Sequence, residues 1–204
     1  QAGFATHQDL RVNVNLAPVT DTVPKEIGKD NEPIGRWGRQ YGSTPKAVSR
    51  SATAFLEGML EGGVEGTVKH FPGLGRARNN TDFSATGITD SVATTDDPFL
   101  QPCADGIEAG AGLVMMASAR YPKLDKANPA MFSEKIVTGL LREQMGYEGV
   151  VITDDVNAQA LDAVPVGDRA VRHIGAGGDI VLTGAASDAD EMLEALAAKS
   201  AADA

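Results

Sequence analysis

The stretch "STPKAVSRSATAFLEGMLEGGVEGTVKHF", residues 43–71, places a helical pattern directly before a short apolar run. The helical part begins with Ser-Thr, has Pro45 in its first turn and ends at two glycines, which are common start and stop signals. The apolar run, residues 66–71, is short and contains β-branched residues, which is typical of a strand buried on both faces. The stretch therefore predicts a helix over 43–63 followed by a strand, a repeating unit of α/β folds.

The same alternation continues on both sides of this stretch. Further strands are predicted at 12–19, 112–117, 149–153 and 179–184. Further helices are predicted from Ser133 to Gly146, over 167–178 and over 188–204. Strands that alternate with helices form a parallel sheet, which is either an open doubly wound sheet or part of an eight-stranded barrel. Because no G-x-G-x-x-G follows the first strand, a dinucleotide-binding fold is disfavoured.

Apolar periodicity predicts which face of each long helix packs on the sheet. In the helix over 43–63 this face consists of Ala47, Ala54, Phe55, Met59 and Leu60. In the helix from Ser133 to Gly146 it consists of Ile136, Val137, Leu140, Leu141 and Met145.

Composition restricts the possible partners. The 204 residues include 42% hydrophobic residues, enough for one core, and we expect one domain over 1–204. The net charge of −10 argues against nucleic acid as a partner. Cys103 is the single cysteine, so neither an internal disulfide nor a cysteine-rich zinc site is expected. No apolar run is long enough for a membrane span. Oligomeric state and localisation stay open.

The predicted strands end in polar residues. In both candidate architectures ligands bind at the carboxyl ends of the strands, so these residues are expected to converge. They are Asp21, Lys69, His70, Ser118, Arg120, Asp154 and Asp155. A buried strand that runs directly into a carboxylate is costly unless the acid is paired or lies in a cleft, which favours a functional role for Asp154. Asp155 is either functional or the cap of a following helix over 156–164.

Lys69 and His70 are adjacent in a predicted strand. Neighbouring strand residues point to opposite faces, so we expect one side chain at the ligand edge and the other toward the helices, unless the strand bulges. His70 is either a core residue or a site residue. Lys69 lies in an apolar run and needs an anionic partner, for which Asp154 and Asp21 are the candidates.

The segment "NEPIGRWGRQYG", residues 31–42, carries two arginines and the single tryptophan. Arg39 is either a surface residue or a residue whose guanidinium group donates paired hydrogen bonds to the oxygens of a ligand. Trp37 either covers the core or lies at the rim of a sugar site.

Six motifs occur together and in order: "NLAPVTD", "PIGRWGRQYG", "KHFPGLG…NTD", "ANPAMFS", "LLREQMGYEGVVITDDV" and "AGGDIVLTG". In this combination the chain resembles glycoside hydrolase family 3, in its bacterial β-N-acetylhexosaminidase-like branch, over roughly residues 10–185. The pairing of "KHFPG" with a later "TDD" is specific to the family.

The resemblance implies an α/β fold of the (β/α)8 TIM-barrel type and a retaining glycoside hydrolase that acts on terminal β-linked N-acetylglucosamine. Peptidoglycan or chitin-type oligosaccharides are the expected carbohydrate substrates. It implies Asp154 as the nucleophile, and Lys69 and His70 as the substrate-binding pair. The family's "IGxR" arginine best matches Arg39, although two extra residues in this loop leave Arg36 open. No metal and no cofactor is expected.

The chain departs from the branch at the loop that usually reads "KHFPGHG…DSH". Leu74 replaces a histidine, and "NTD" stands where "DSH" is usual, so Asp82 occupies the position of the catalytic histidine. We expect Asp82 to act as the acid/base, on a loop hinged at "PGLG". The resemblance begins at the family's fourth strand, which implies that only about the last five βα units of the barrel are present.

Three other functions remain open on these residues. One is a β-glucosidase-type hydrolase of the same family, and another is a non-catalytic sugar-binding barrel. The third, a glycoside phosphorylase, is disfavoured because the carboxylate of Asp82 would repel phosphate.

Overall fold

The computed structural model describes residues 12–86 and 88–203. Its main sheet has four parallel strands in the order β1-β2-β3-β6. These strands are β1 (Val14–Asn15), β2 (Glu65–Phe71), β3 (Leu113–Met116) and β6 (Val150–Thr153). The predicted parallel arrangement is confirmed. The predicted strand over 12–19 is shorter than expected, and residues 179–184 contribute only the bridge of Ile180 to Ile152.

Four α-helices and one π-helix surround the sheet. They are α1 (Pro45–Glu61), α2 (Gln101–Glu108), the π-helix Lys135–Gln144, α3 (Val166–Gly175) and α4 (Ala189–Asp203). Thr44 caps α1 by accepting the N–H of Ala47, as its position before Pro45 suggests. Residue 204, the last of the predicted C-terminal helix, lies outside the described residues, as do residues 1–11 of the predicted domain.

The buried face of α1 differs from the prediction. The residues that it buries are Val48, Ser49, Ala52, Leu56 and Met59, whereas Ala54 is exposed. Only Met59 of the predicted face is fully buried, because the helix is rotated by about one residue from the face that hydropathy alone selects. In the π-helix the predicted stripe is confirmed for Ile136, Val137, Leu140 and Leu141, which are all buried.

Two elements had no signal in the sequence pattern. Helix α2 is short and contains a proline and a glycine, and it packs between α1 and β2. A small antiparallel pair, β4 (Arg120–Tyr121) and β5 (Asp125–Pro129), follows β3. Tyr121 is buried there and donates its hydroxyl to the carbonyl of Gly73, at 2.8 Å. The pair therefore supports the segment that follows β2.

The core lies between the sheet and the helices. Val68, Val114 and Val151 are almost fully buried at the centre of the three adjacent strands. Within the described residues, no helix combines the length and the apolar character that crossing a membrane requires. Because the strands are parallel, their carboxyl ends lie together at one edge of the sheet. The faces of the sheet are covered, so polar side chains are accommodated at this edge.

Candidate active site

Asp21 and His70 form the buried floor of the site. The Nδ1 atom of His70 lies 2.7 Å from Oδ2 of Asp21, and the two side chains are 4% and 0% exposed. The other carboxylate oxygen of Asp21 accepts the backbone N–H of Leu74, at 2.6 Å. Both oxygens of Asp21 are therefore satisfied, which stabilises a carboxylate at this depth.

Asp154 faces the other side of the same imidazole. Its Oδ2 atom is 3.9 Å from Nε2 of His70, and its side chain is 22% exposed. Its backbone N–H donates to the carbonyl of Met116, which holds Asp154 at the end of the sheet. Asp154 thus stands on a rigid strand end, is partly open to solvent and is close to a buried, oriented histidine.

Lys69 belongs to the same cluster, and the exception allowed for in the sequence analysis, a bulge in the strand, is the one that the structure shows. The strand register shifts between Lys69 and Phe71, which breaks the alternation. The Lys69–His70 peptide bond is cis. Burial lowers the pKa of Lys69, and the positive charge of Arg39 lowers it further. The carboxylates of Asp154 and Asp21 act in the opposite direction, so both predicted anionic partners are close to Lys69.

Arg39 reaches this cluster, and Arg36 does not. Arg39 donates from one guanidinium nitrogen to the carbonyl of Pro33, at 2.8 Å, and its charge acts on Lys69. Arg36 instead pairs with Glu32, at 2.8 Å, on the exposed side of the same loop. The geometry favours Arg39 as the arginine that faces a ligand.

Asp82 lies on the loop that follows β2, near enough to the cluster for its charge to interact with those of Asp154, Arg39 and His70. Asp82 keeps a solvent-exposed face. Partial burial still raises the pKa of its carboxyl, and the negative charges of Asp154 and Asp155 raise it further. Arg39 and His70 act in the opposite direction. The five residues singled out from the sequence are therefore brought together: Asp82, Asp154, Lys69, His70 and Arg39.

The segment expected to act as a hinge is packed in this structure. Leu74 of "PGLG" is 1% exposed. Gly75 lies so close to the carbonyl of Thr22 that a side chain there would collide with it. The loop is held further on, where the N–H of Ala160 donates to the carbonyl of Thr81, at 3.1 Å. Leu74 and Gly75 are thus held by packing in this structure, and the hinge at "PGLG" stays a prediction.

Three other polar residues from the strand ends do not join the cluster. Asp155 accepts the N–H groups of Asn157 and Gly184, both at 2.9 Å, so it caps a turn. The expected helix over 156–164 is reduced to the 3-10 turn Gln159–Leu161. The exposed Arg120 donates to the carbonyl of Ala127, within the small antiparallel pair. The hydroxyl of Ser118 is buried and has no hydrogen-bond partner among the described residues.

Two residues support the site from below. Asp21 was named from the sequence as a polar strand end and a candidate partner of Lys69, but its pairing with His70 was not predicted. Asn31 is fully buried, and its amide donates to the carbonyls of Leu74 and Ala77, at 2.7 and 2.6 Å. Nothing in the local sequence pattern marks Asn31. Across residues 12–86 and 88–203, no group of three or more His, Cys, Asp or Glu side chains could hold a metal ion.

Residues 2–202 match the family model described as the glycosyl hydrolase family 3 N terminal domain. The chain is 44% identical to the β-N-acetylhexosaminidase from Beutenbergia cavernae, with a TM-score of 0.94 over 98% of this chain and 60% of that one. It is 35% identical to a β-hexosaminidase from Xanthomonas oryzae pv. oryzae, over 84% of this chain and 49% of that protein. An uncharacterized secreted glycosyl hydrolase of Arthroderma benhamiae is 39% identical, over 84% of this chain and 48% of that protein. The chain thus spans about half the length of these two curated relatives.

Proposed function

This chain belongs to glycosyl hydrolase family 3, and from that premise we propose that it carries the active site of a retaining β-N-acetylhexosaminidase. The proposed reaction removes terminal β-linked N-acetylglucosamine from peptidoglycan or chitin-type oligosaccharides. The observation that carries the proposal is the position of Asp154, 3.9 Å from Nε2 of a histidine that Asp21 orients. A partly open carboxylate on a strand end, beside an imidazole fixed in orientation, suits attack on a sugar carbon.

We propose Asp154 as the nucleophile. In the first step its carboxylate bonds to the anomeric carbon as the glycosidic C–O bond breaks, and a proton passes to the leaving oxygen. In the second step a water oxygen bonds to the same carbon, the ester bond to Asp154 breaks and the water gives up a proton. The cation of Lys69 lies near Asp154 and can interact with the carboxylate that attacks.

We propose Asp82 as the group that gives and then takes this proton. A general acid must hold its proton at the working pH, and burial together with the carboxylates of Asp154 and Asp155 raises the pKa of Asp82. Two carboxyl groups whose environments differ can divide the roles of acid and nucleophile between them. Asp82 lies on the loop that follows β2 rather than on the sheet, a position that suits a group that gives a proton to the leaving oxygen.

Lys69, His70 and Arg39 are proposed to hold the sugar. The ammonium and guanidinium groups supply donors around Asp154, and sugar hydroxyls and an acetamido carbonyl accept such bonds. The imidazole of His70 donates from Nδ1 to Asp21, so its Nε2 can accept a hydrogen bond from a sugar hydroxyl. The names of the relatives from Beutenbergia and Xanthomonas support N-acetylglucosamine over glucose as the sugar.

The proposed architecture is a partial barrel. The parallel order β1-β2-β3-β6, extended by the bridge of Ile180, gives five consecutive strand positions. We propose that residues 1–204 contribute about five βα units to an eight-stranded (β/α)8 barrel. In that fold active sites lie at the carboxyl ends of the strands, where Asp21, His70 and Asp154 are found.

The proposal is tested by hydrolysis of aryl β-glycosides with the intact protein. We expect release of the aryl group from the N-acetylglucosamine derivative, at a rate that does not depend on added phosphate. The sugar that is formed first should have the β configuration, which NMR detects. Asp154→Asn should abolish release, whereas Asp162→Asn, which removes an exposed carboxylate elsewhere on the segment after β6, should retain most of it. Faster release from the glucose derivative, an inverted product or an active Asp154→Asn variant would each overturn the proposal.

A further inference from the structure

Two large aromatic side chains are exposed beside the proposed site and line one cavity. Trp37 is 65% exposed and Phe83 is 76% exposed. The cavity between them has a volume of about 210 Å³, and its other lining residues are Glu32, Arg36 and Asn80. The alternative that Trp37 covers the core is therefore wrong. An exposed aromatic pair rimmed by polar groups is a common feature of binding sites.

The cavity is preformed, because hydrogen bonds join the two loops that build it. The N–H of Glu32 donates to the carbonyl of Arg78, at 3.1 Å. The carboxylate of Glu32 accepts the N–H of Asn80, at 3.3 Å, and the guanidinium of Arg36, at 2.8 Å. Below them, the buried amide oxygen of Asn31 accepts the N–H groups of Ile34 and Gly35, at 3.1 and 2.7 Å. The two aromatic side chains are thus presented by fixed backbone.

The position of the cavity identifies the part of the substrate that it meets. Phe83 directly follows Asp82, and Trp37 lies two residues before Arg39. The proposed acid gives its proton to the leaving oxygen, so the group bonded to that oxygen lies on the side of Asp82 away from Asp154. The cavity is lined by the residue next to this acid and by one two positions from Arg39, so it adjoins the proposed site at the acid.

We propose that Trp37 and Phe83 form the subsite for the leaving-group saccharide, an inference that rests on the proposed function. The apolar faces of a pyranose ring pack on the two aromatic rings, and Glu32, Arg36 and Asn80 bind its hydroxyl or acetamido groups. The volume is below the roughly 300–1,000 Å³ of a pocket for a drug-sized ligand, so one sugar ring is the expected occupant. These five residues are thus assigned the preference for a carbohydrate over other leaving groups.

The first test compares two substrates of the intact protein. N-acetylglucosaminyl fluoride has a single atom as its leaving group, whereas the β-1,4-linked disaccharide of N-acetylglucosamine has a sugar. We expect Trp37→Ala and Phe83→Leu each to lower the ratio of kcat/KM for the disaccharide to that for the fluoride about tenfold or more, because each removes an aromatic face on which the leaving sugar packs. Trp37→Phe and Phe83→Tyr keep an aromatic face and should keep most of the ratio. Leu193→Ala removes an equally exposed apolar side chain on α4 and should not change it.

A second measurement separates sugar binding from any disturbance of Asp82. With the fluoride as donor and free N-acetylglucosamine as acceptor, the glycosyl-enzyme intermediate divides between transfer to the sugar and hydrolysis. The ratio of transfer to hydrolysis is independent of the fraction of folded enzyme. Loss of acid/base assistance slows both transfer and hydrolysis. We expect Trp37→Ala and Phe83→Leu to lower it about tenfold. An unchanged transfer ratio would overturn the proposal even if the disaccharide rate fell. A wild-type protein that cleaves neither substrate would overturn the proposed function, and this subsite with it.

Discussion

The carboxylate of Asp21 and the imidazole of His70 lie 2.7 Å apart in the buried floor of the site. Because a carboxylate only accepts hydrogen bonds, the pair places a proton on Nδ1 and leaves Nε2 directed toward Asp154. The two residues are 49 positions apart in sequence and meet because the strand ends are adjacent. Asp21 therefore acts as a positioning residue for the imidazole beside the proposed nucleophile.

Replacing Asp21 should impair this orientation. We expect Asp21→Asn to lower kcat/KM for aryl N-acetylglucosaminides about tenfold to 100-fold, since a hydrogen bond to a charged group is worth about 1.5–3 kcal/mol. The amide keeps the size of the side chain, and circular dichroism would check that the fold is retained. Wild-type kinetics in a folded Asp21→Asn protein would show that the orientation of His70 does not matter to the reaction.

The proposed acid role of Asp82 predicts a dependence on the leaving group. Asp82→Ala should slow cleavage of substrates with poor leaving groups by about 10²–10⁴, the usual contribution of general acid catalysis. For substrates whose leaving group needs no proton, such as the fluoride, the rate of the first step should fall much less. Steady-state and single-turnover rates on both substrate types are the measurement. Equal losses on both would assign Asp82 another role.

The raised pKa of Asp82 also predicts a pH-dependent effect on stability. Burial and two neighbouring carboxylates raise its pKa in the folded protein, so its ionised form is less favourable there than in the unfolded chain. The stability that comes from the proton bound to Asp82 is fully present below the pKa of this residue in the unfolded chain, about 3.9. It is lost as the pH rises through the pKa of Asp82 in the folded protein.

Asp82→Asn imitates the protonated form at every pH. We therefore expect the variant to unfold at a higher temperature than the wild type at pH 7, and the difference to vanish below about pH 3.9. Thermal unfolding at a series of pH values measures this, with Asp96→Asn, an exposed carboxylate in the same 76–97 loop, as the control. A difference of the same size at all pH values would contradict the account.

Arg76 closes the base of the loop that carries Asp82. Its Nε atom donates to Asp90, at 2.7 Å, another nitrogen pairs with Asp97, and its guanidinium lies 4.1 Å from the centre of the Phe99 ring. The acidic partners are almost fully buried, with side chains 4% and 6% exposed. Removing the arginine would leave two buried carboxylates without their cation.

Arg76→Ala should consequently lower the free energy of unfolding by about 3 kcal/mol or more, measured by chemical denaturation. The matched control is Arg78→Ala, in the same loop. Arg78 pairs with Asp30 at 3.4 Å, and both side chains are mostly exposed, so the loss should stay below about 1 kcal/mol. Similar losses for the two variants would show that Arg76 does not fasten the loop.

The strand positions and the site residues could be predicted from the sequence, whereas the contacts that hold them could not. Short apolar runs located β2, β3 and β6, because buried parallel strands need continuous apolar residues. The shift of register between Lys69 and Phe71 broke the expected alternation, since it depends on pairing with β3 rather than on the local pattern. The partners of Arg76 lie 14 and 21 residues away, and nothing local marks them.

The most direct test of the account is to trap the glycosyl-enzyme intermediate. A 5-fluoro N-acetylglucosaminyl fluoride slows both steps, and the second can become slow enough for the ester to accumulate on the intact protein. Peptide mass spectrometry after proteolysis then locates the added sugar. We expect one sugar per protein on the carboxylate of Asp154, and none in the Asp154→Asn variant. A sugar attached to any other residue, or turnover without a covalent adduct, would contradict it.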